Sequence, residues 1–393
     1  MPLPGVPSSA SAATIAASLV ARNPVSRAFF DAEADRLASA SRDMADRFAR
    51  GGRLLAAGRG PYATDAQHVA VEFIHPVLVG KRALPALDLS AAPRAWIGAL
   101  VRPHDIVMGL GPPDGDEVIV EALDSARSAG AQTVALPGRT GSYAVSSPST
   151  EAFIHQELIE ILYHTLWETV HVFLEHREAG HDVGPAGFLY PYLGKNVQDT
   201  TSILSTVAAS IRDKARVDEE LRERAAFDNA AAIAEAALVV RRSMARGGTV
   251  MAFGNGGSAT DANDFVIDCV SPAPGVRPIP AISLSADPAN LTAIANDIGR
   301  DAIFMRQLIA HGRTGDVALA ISTSGGSGNV IAGLEAARRL GMVTIALLGH
   351  DGGEVVRRGL ADLPIVVTCD YIPRIQEVQA SIYHTLIDAV HAG

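Results

Sequence analysis

Two short segments carry hydroxyls and backbone amides in an order that suits an anion. Residues 322–329 read STSGGSGN, after the apolar run DVALAI and before VIAGLEAARRL. Ser322, Thr323, Ser324 and Ser327 therefore fall at a strand-to-helix turn. Glycines there let the backbone approach a ligand, and free N–H groups at a helix N-terminus attract negative charge without a lysine. Residues 254–258, GNGGS, repeat the device, so that Asn255, Gly256, Gly257 and Ser258 line the other wall. A single Gly/Ser segment is usually a plain turn. Two of them after two strands of one sheet, at the carboxyl edge where open α/β sheets bind ligands, favour a phosphate group. A different chemistry is written in TDAQHVAVEF at 64–73, where His68 and Glu72 are four apart and a helix puts both on one face. Such a pair is more often a surface pair than a ligand set.

The elements that hold these residues occur twice. RGGRLLAAGRGPYATDAQHVAVEF at 50–73 matches RGGTVMAFGNGGSATDANDFVIDC at 246–269. ALDSARSAGAQTVALPG at 122–138 matches GLEAARRLGMVTIALLG at 333–349, and HQELIEILYHTLWETVH at 155–171 matches IQEVQASIYHTLIDAVH at 375–391. Three matches in one order indicate a tandem duplication. Each copy opens with an amphipathic helix (26–50 and 212–246). It continues as strand, Gly turn, helix, strand, loop, helix, strand and closing helix. That alternation predicts an α/β fold, two doubly wound parallel sheets flanked by helices. The expected divisions are a loose arm over 1–25, a first module over 26–176, a connection over 177–211 and a second module over 212–393.

Composition agrees with two buried parallel sheets: 393 residues, 48% hydrophobic and 19% charged. A net charge of -10 argues against a nucleic-acid partner but not against an anionic substrate. Only Cys269 and Cys369 occur, too few for a disulfide scaffold, which fits a reducing cytoplasm. No apolar run approaches the ~20 residues of a membrane span, and the N-terminal stretch lacks the basic start of a signal peptide.

GNGGSATDA at 254–262, AND at 295–297, STSGGSGN at 322–329 and IQEVQASIYH at 375–384 together resemble the sugar isomerase (SIS) domain family, and within it the phosphoheptose isomerases. The resemblance covers nearly all of 212–393 and, more weakly, 26–176. It implies a phosphorylated sugar as substrate, with sedoheptulose 7-phosphate converted to a heptose 7-phosphate as first choice. It also implies zinc, held by His and Glu of one helix and Gln and His of the closing helix. Carried over by position, those ligands are His68, Glu72, Gln156 and His164, with Glu72 and His164 as the proton-transfer pair. Asn296, Asp297 and Gln376 would bind sugar hydroxyls. Gln156 and His164 are eight apart, about 12 Å along an ideal helix, so they share an ion only if the helix starts late or bends. His75, His155 and His171 are assigned to surface or packing.

The copies differ in a complementary way. In the first, GLGPPDGDEV replaces the hydroxyl loop, GRGPY replaces GNGGS and the AND segment has no counterpart. Prolines remove donors and acids repel an anion, so this loop should not hold phosphate. In the second, Asp264, Asp268, Gln376 and His384 stand at the metal positions, and two short acids suit zinc less well. Relatives of this family are similar to homotetramers with sites at subunit contacts. The resemblance therefore implies a homodimer of this chain as a pseudo-tetramer, and the pattern of substitutions, if sites lie at module contacts, leads to the expectation of a composite site drawing metal ligands from the first module and phosphate loops from the second. Proton transfer through an enediol is the expected chemistry. Two alternatives stand beside it: a non-catalytic sugar-phosphate-binding regulator or scaffold, and an etherase acting on a phosphorylated amino sugar.

Overall fold

The computed structural model describes residues 11–76, 80–178 and 200–392. The chain divides into two compact units, Asn23–Val217 and Met1–Arg22 with Asp218–Gly393. Helix α1 (Ala12–Val20) forms inside the stretch expected as a loose arm and is capped by the Ser11 hydroxyl. It packs on the closing helix of its unit through buried Ile15 and Leu19, an apolar pair one turn apart. Most of the expected connection, 179–199, lies outside the described residues.

The first module runs α2 (Asn23–Ala49), β1 (Leu54–Ala57), α3 (Tyr62–Ile74), β2 (Ala86–Asp88), α4 (Pro93–Leu100), β3 (Ile106–Leu110), α5 (Glu117–Ser128), β4 (Gln132–Leu136), β5 (Tyr143–Ala144) and α6 (Ala152–Glu178). Helix α7 (Thr200–Ala245) crosses the division between the units. The second module continues with β6 (Val250–Phe253), α8 (Gly257–Val270), β7 (Ala281–Ser283), α9 (Pro288–Asp297), α10 (Ile303–His311), β8 (Val317–Ser322), α11 (Gly328–Arg339), β9 (Val343–Gly349), α12 (Gly353–Arg357), β10 (Leu363–Val367) and α13 (Ile372–His391).

Each sheet is five-stranded and wholly parallel, in the orders β2-β1-β3-β4-β5 and β10-β9-β8-β6-β7. Relative to its own first strand, each module therefore has the same topology, as duplication requires. Along β1, Leu54 and Ala56 enter one core with α2, α3 and α6, while Leu55 and Ala57 enter another with α4 and α5. Successive strand residues point to opposite faces, and helices cover both, so the strand is apolar throughout. The strand order reverses between β1 and β3, and again between β6 and β8. That reversal opens a crevice at the carboxyl ends of those two strands in each module.

Candidate functional site

In the second module the two Gly/Ser loops follow the strands that flank this crevice, β6 and β8. The loops are tied by a reciprocal amide pair: Asn255 donates to Asn329 Oδ1 at 2.9 Å and Asn329 donates to Asn255 Oδ1 at 2.8 Å. Ser322 Oγ accepts from Gly325 N–H at 3.1 Å, and Ser324 Oγ from Gly326 N–H at 3.2 Å, which curls the loop over itself. Gly325 has φ +58°, and a Cβ there would lie 2.2 Å from Gly352 O, so only glycine lets these backbones meet. Ser327 occupies the cap position of α11, yet its hydroxyl makes no cap hydrogen bond. Ser258 is buried in the first turn of α8, while Asn255, Gly256 and Ser324 are exposed. Hydroxyls and helix-start amides thus gather at the carboxyl ends of β6 and β8.

The first module closes the same crevice with its own anion. Asp116 caps α5, accepting from Val118 N–H at 2.9 Å and Ile119 N–H at 3.2 Å. Its other oxygen takes Arg59 Nη1 at 3.0 Å from the GRGPY loop. A carboxylate of the chain therefore does at this helix start what a bound phosphate would do.

The side chains expected to hold a metal come from α3 and α6. His68 and Glu72 share a face of α3, and His164 comes from α6. His68 Nε2 lies 3.4 Å from His164 Nε2 and 3.9 Å from Glu72 Oε1, with all three residues buried. Gln156 behaves differently. Helix α6 runs unbroken through both Gln156 and His164, and Gln156 Nε2 donates to Asp65 Oδ2 at 2.9 Å. Glu160, which sequence reasoning missed, lies on the other side of the His68 ring, with Oε1 4.0 Å from His68 Nδ1. The available signal was its place four residues before His164 on the same helix face.

These side chains fit a divalent cation. Ligand atoms of His68, Glu160 and His164 lie within 4.8 Å of one another, all in buried residues. Two nitrogens on one tetrahedral zinc sit about 3.3 Å apart, close to the separation of the two Nε2 atoms. His155 and His171 have packing roles. His155 is held between Ser147 and Gly111 O, His171 between Trp167 O and Arg82 O, and burial lowers the pKa of both. His75 is exposed.

The second module also gathers its counterparts. His384 Nε2 lies 3.3 Å from Asp268 Oδ2 and 3.6 Å from Asp264 Oδ2, and Tyr383 OH donates to Asp264 at 2.8 Å. Ligand atoms of these two acids and His384 are likewise within 4.8 Å of one another. Burial, then the neighbouring Asp264, pushes the Asp268 carboxyl up to about 6 against the pull of His384. A cation-binding arrangement is therefore not confined to the first module, although two carboxylates and one imidazole make a harder donor set. Gln376 is buried on α13 two turns before His384. Asn296 and Asp297 end α9, are exposed, and hydrogen-bond to each other at 2.7 Å.

Comparison with known proteins adds three findings. The SIS domain family matches residues 216–349. A phosphoheptose isomerase of Pelodictyon phaeoclathratiforme is 45% identical over 175 residues, covering 44% of this chain and 82% of that protein. Another, of Citrifermentans bemidjiense, is 46% identical over 160 residues, covering 40% of this chain and 82% of its own length. Among solved structures, the C-terminal domain of glucosamine-fructose-6-phosphate aminotransferase from Francisella tularensis superposes with a TM-score of 0.56 at 10% identity. It covers 96% of this chain and 95% of that one, so a likeness of fold extends across both modules. Among the described residues no helix is long and apolar enough to cross a membrane.

Proposed function

The chain belongs to the SIS-domain family, and from that premise we propose that it isomerises a phosphorylated sugar between aldose and ketose, with sedoheptulose 7-phosphate as first substrate. The observation that carries this reading is the unequal pair of crevices. In the second module the Ser327 hydroxyl at the start of α11 makes no cap bond, while Asp116 caps the corresponding helix in the first. The first module in turn keeps a buried imidazole–carboxylate set suited to proton transfer. One activity is thus divided between two copies, and turnover needs both residue sets.

Glu72 is the base that takes the proton from the carbon beside the carbonyl. His164 is the acid that serves the neighbouring oxygen and carbon, with the roles exchanged in the reverse direction. Both groups lie beside His68 Nε2, at 3.9 and 3.4 Å. Burial of all three excludes bulk water from the proton path. A zinc ion held by His68, His164 and a neighbouring carboxylate would supply Lewis-acid stabilisation of charge developing on the enediol oxygens, and His164 passes a proton only while its Nε2 is off the metal. Ser322, Thr323, Ser324 and Ser327 hold the phosphate, with Asn255, Gly256, Gly257 and Ser258 on the opposite wall. Asn296, Asp297 and Gln376 are assigned to sugar hydroxyls.

The test is an isomerase assay on the intact chain with sedoheptulose 7-phosphate, with and without a chelator. Chelator-sensitive turnover that is lost in E72Q supports the reading. Sugar phosphate bound without turnover, in protein lacking metal, overturns it in favour of a regulator.

A further inference from the structure

We infer that Glu160 is a positioning residue for the metal set of the first module, holding the His68 imidazole with Nε2 turned toward His164 and Glu72. The inference rests on the metal-dependent reading proposed above. An imidazole presents its two nitrogens in diverging directions within the ring plane, so one ion can use only one of them. The surroundings of His68 divide along that line. His164 Nε2 and Glu72 Oε1 are nearest to its Nε2, at 3.4 and 3.9 Å, whereas Glu160 Oε1 is nearest to its Nδ1, at 4.0 Å. A carboxylate behind a ligating histidine accepts the remaining ring N–H, fixes the tautomer and raises the basicity of the nitrogen that faces the metal. A closure of about 1 Å brings Glu160 to hydrogen-bond distance of Nδ1.

The duplication supplies an internal control. Aligning HQELIEILYH with IQEVQASIYH puts Glu160 opposite Ala380, and the helix-α3 position of His68 opposite Asp264. The carboxylate is present in the copy that has the imidazole and absent from the copy that lacks it. Ala380 is fully buried in α13, so the closing helix accommodates a methyl group at this position. A buried carboxylate in place of that methyl is costly unless it serves a group that needs it.

The test uses the full chain at rest, without substrate. Zinc content by mass spectrometry and zinc affinity by competition with a chromogenic chelator are measured for wild type, E160A and E160Q. A ligand-orienting carboxylate predicts unchanged zinc per chain, with affinity about 10- to 100-fold weaker in E160A. E160Q keeps an acceptor oxygen without the charge and should fall between; being isosteric, it also guards against a folding defect in E160A. Unchanged affinity in E160A overturns the inference, as does wild type without zinc. Loss of one ion per chain in E160A also overturns it, making Glu160 a direct ligand. Failure of the isomerase assay leaves these measurements intact, so the two readings fail separately.

Discussion

Replacing Asp116 by alanine should destabilise the first module by an amount its contacts define. The carboxylate accepts two backbone N–H bonds at the start of α5, at 2.9 and 3.2 Å, and losing such a cap costs about 1 kcal/mol. The second contribution is the ion pair with Arg59 at 3.0 Å. Because the Arg59 side chain is 52% exposed, that pair adds only about 0.2–1 kcal/mol. The expected loss is about 1–2 kcal/mol. For a unit spanning Asn23–Val217 this lowers Tm by about 2–8 °C. Calorimetry on D116A, R59A and the double variant separates the two contributions. R59A should lose less than D116A, and the coupling between them should stay below about 1 kcal/mol. D116N, which keeps an acceptor oxygen, should lie close to wild type. If D116A melts with wild type, or if R59A reproduces its whole effect, the carboxylate does not substitute for a bound anion at this helix.

Three further outcomes follow from the second module. Alanine at Ser322 or Ser324 should weaken binding of the phosphorylated substrate, seen as a raised KM, by about ten- to a hundredfold per lost bond to a charged oxygen. Asp268 has its folded-state carboxyl raised to about 6 from 3.8, mainly by burial. The sign is therefore that of a group stabilising at low pH: its contribution is full below about pH 4 and is lost as pH rises through 6. In metal-free protein D268N should flatten that slope and raise stability at pH 7 by at most about 3 kcal/mol, measured by urea unfolding. Arg374 is buried against Asp218 at 2.9 Å and against Glu377, and burial holds both carboxyls above their usual range. R374A should therefore cost about 3–5 kcal/mol by leaving two buried acids with Arg222 as the cation still beside them, and wild-type stability in that variant would contradict the assignment.

The central strands were legible because helices cover both faces, which makes β1, β3, β6 and β8 continuous apolar runs between Gly turns. The edge strands were not. β2, β5 and β7 are two or three residues long, and β10 contains Pro364, so none carries a clear alternation. The two Gly/Ser loops could be read locally because loop, strand and helix start are contiguous in sequence. The buried histidine–carboxylate cluster is harder to read, because its members are brought together by α3 packing on α6. Glu160 and the Asp65–Gln156 pair belong to that packing, and spacing along one helix does not reveal them. Asp116 was legible as an acid in the wrong loop, but its capping of α5 needed the backbone.

The central claim is that proton transfer by the first module and phosphate binding by the second serve a single reaction. Incubating the protein with sedoheptulose 7-phosphate in deuterium oxide and following the substrate by NMR tests it directly. The account predicts deuterium entering at the carbon beside the carbonyl, with exchange abolished in E72Q and strongly reduced in the S322A/S324A variant. Exchange that persists at the wild-type rate in either variant would contradict it.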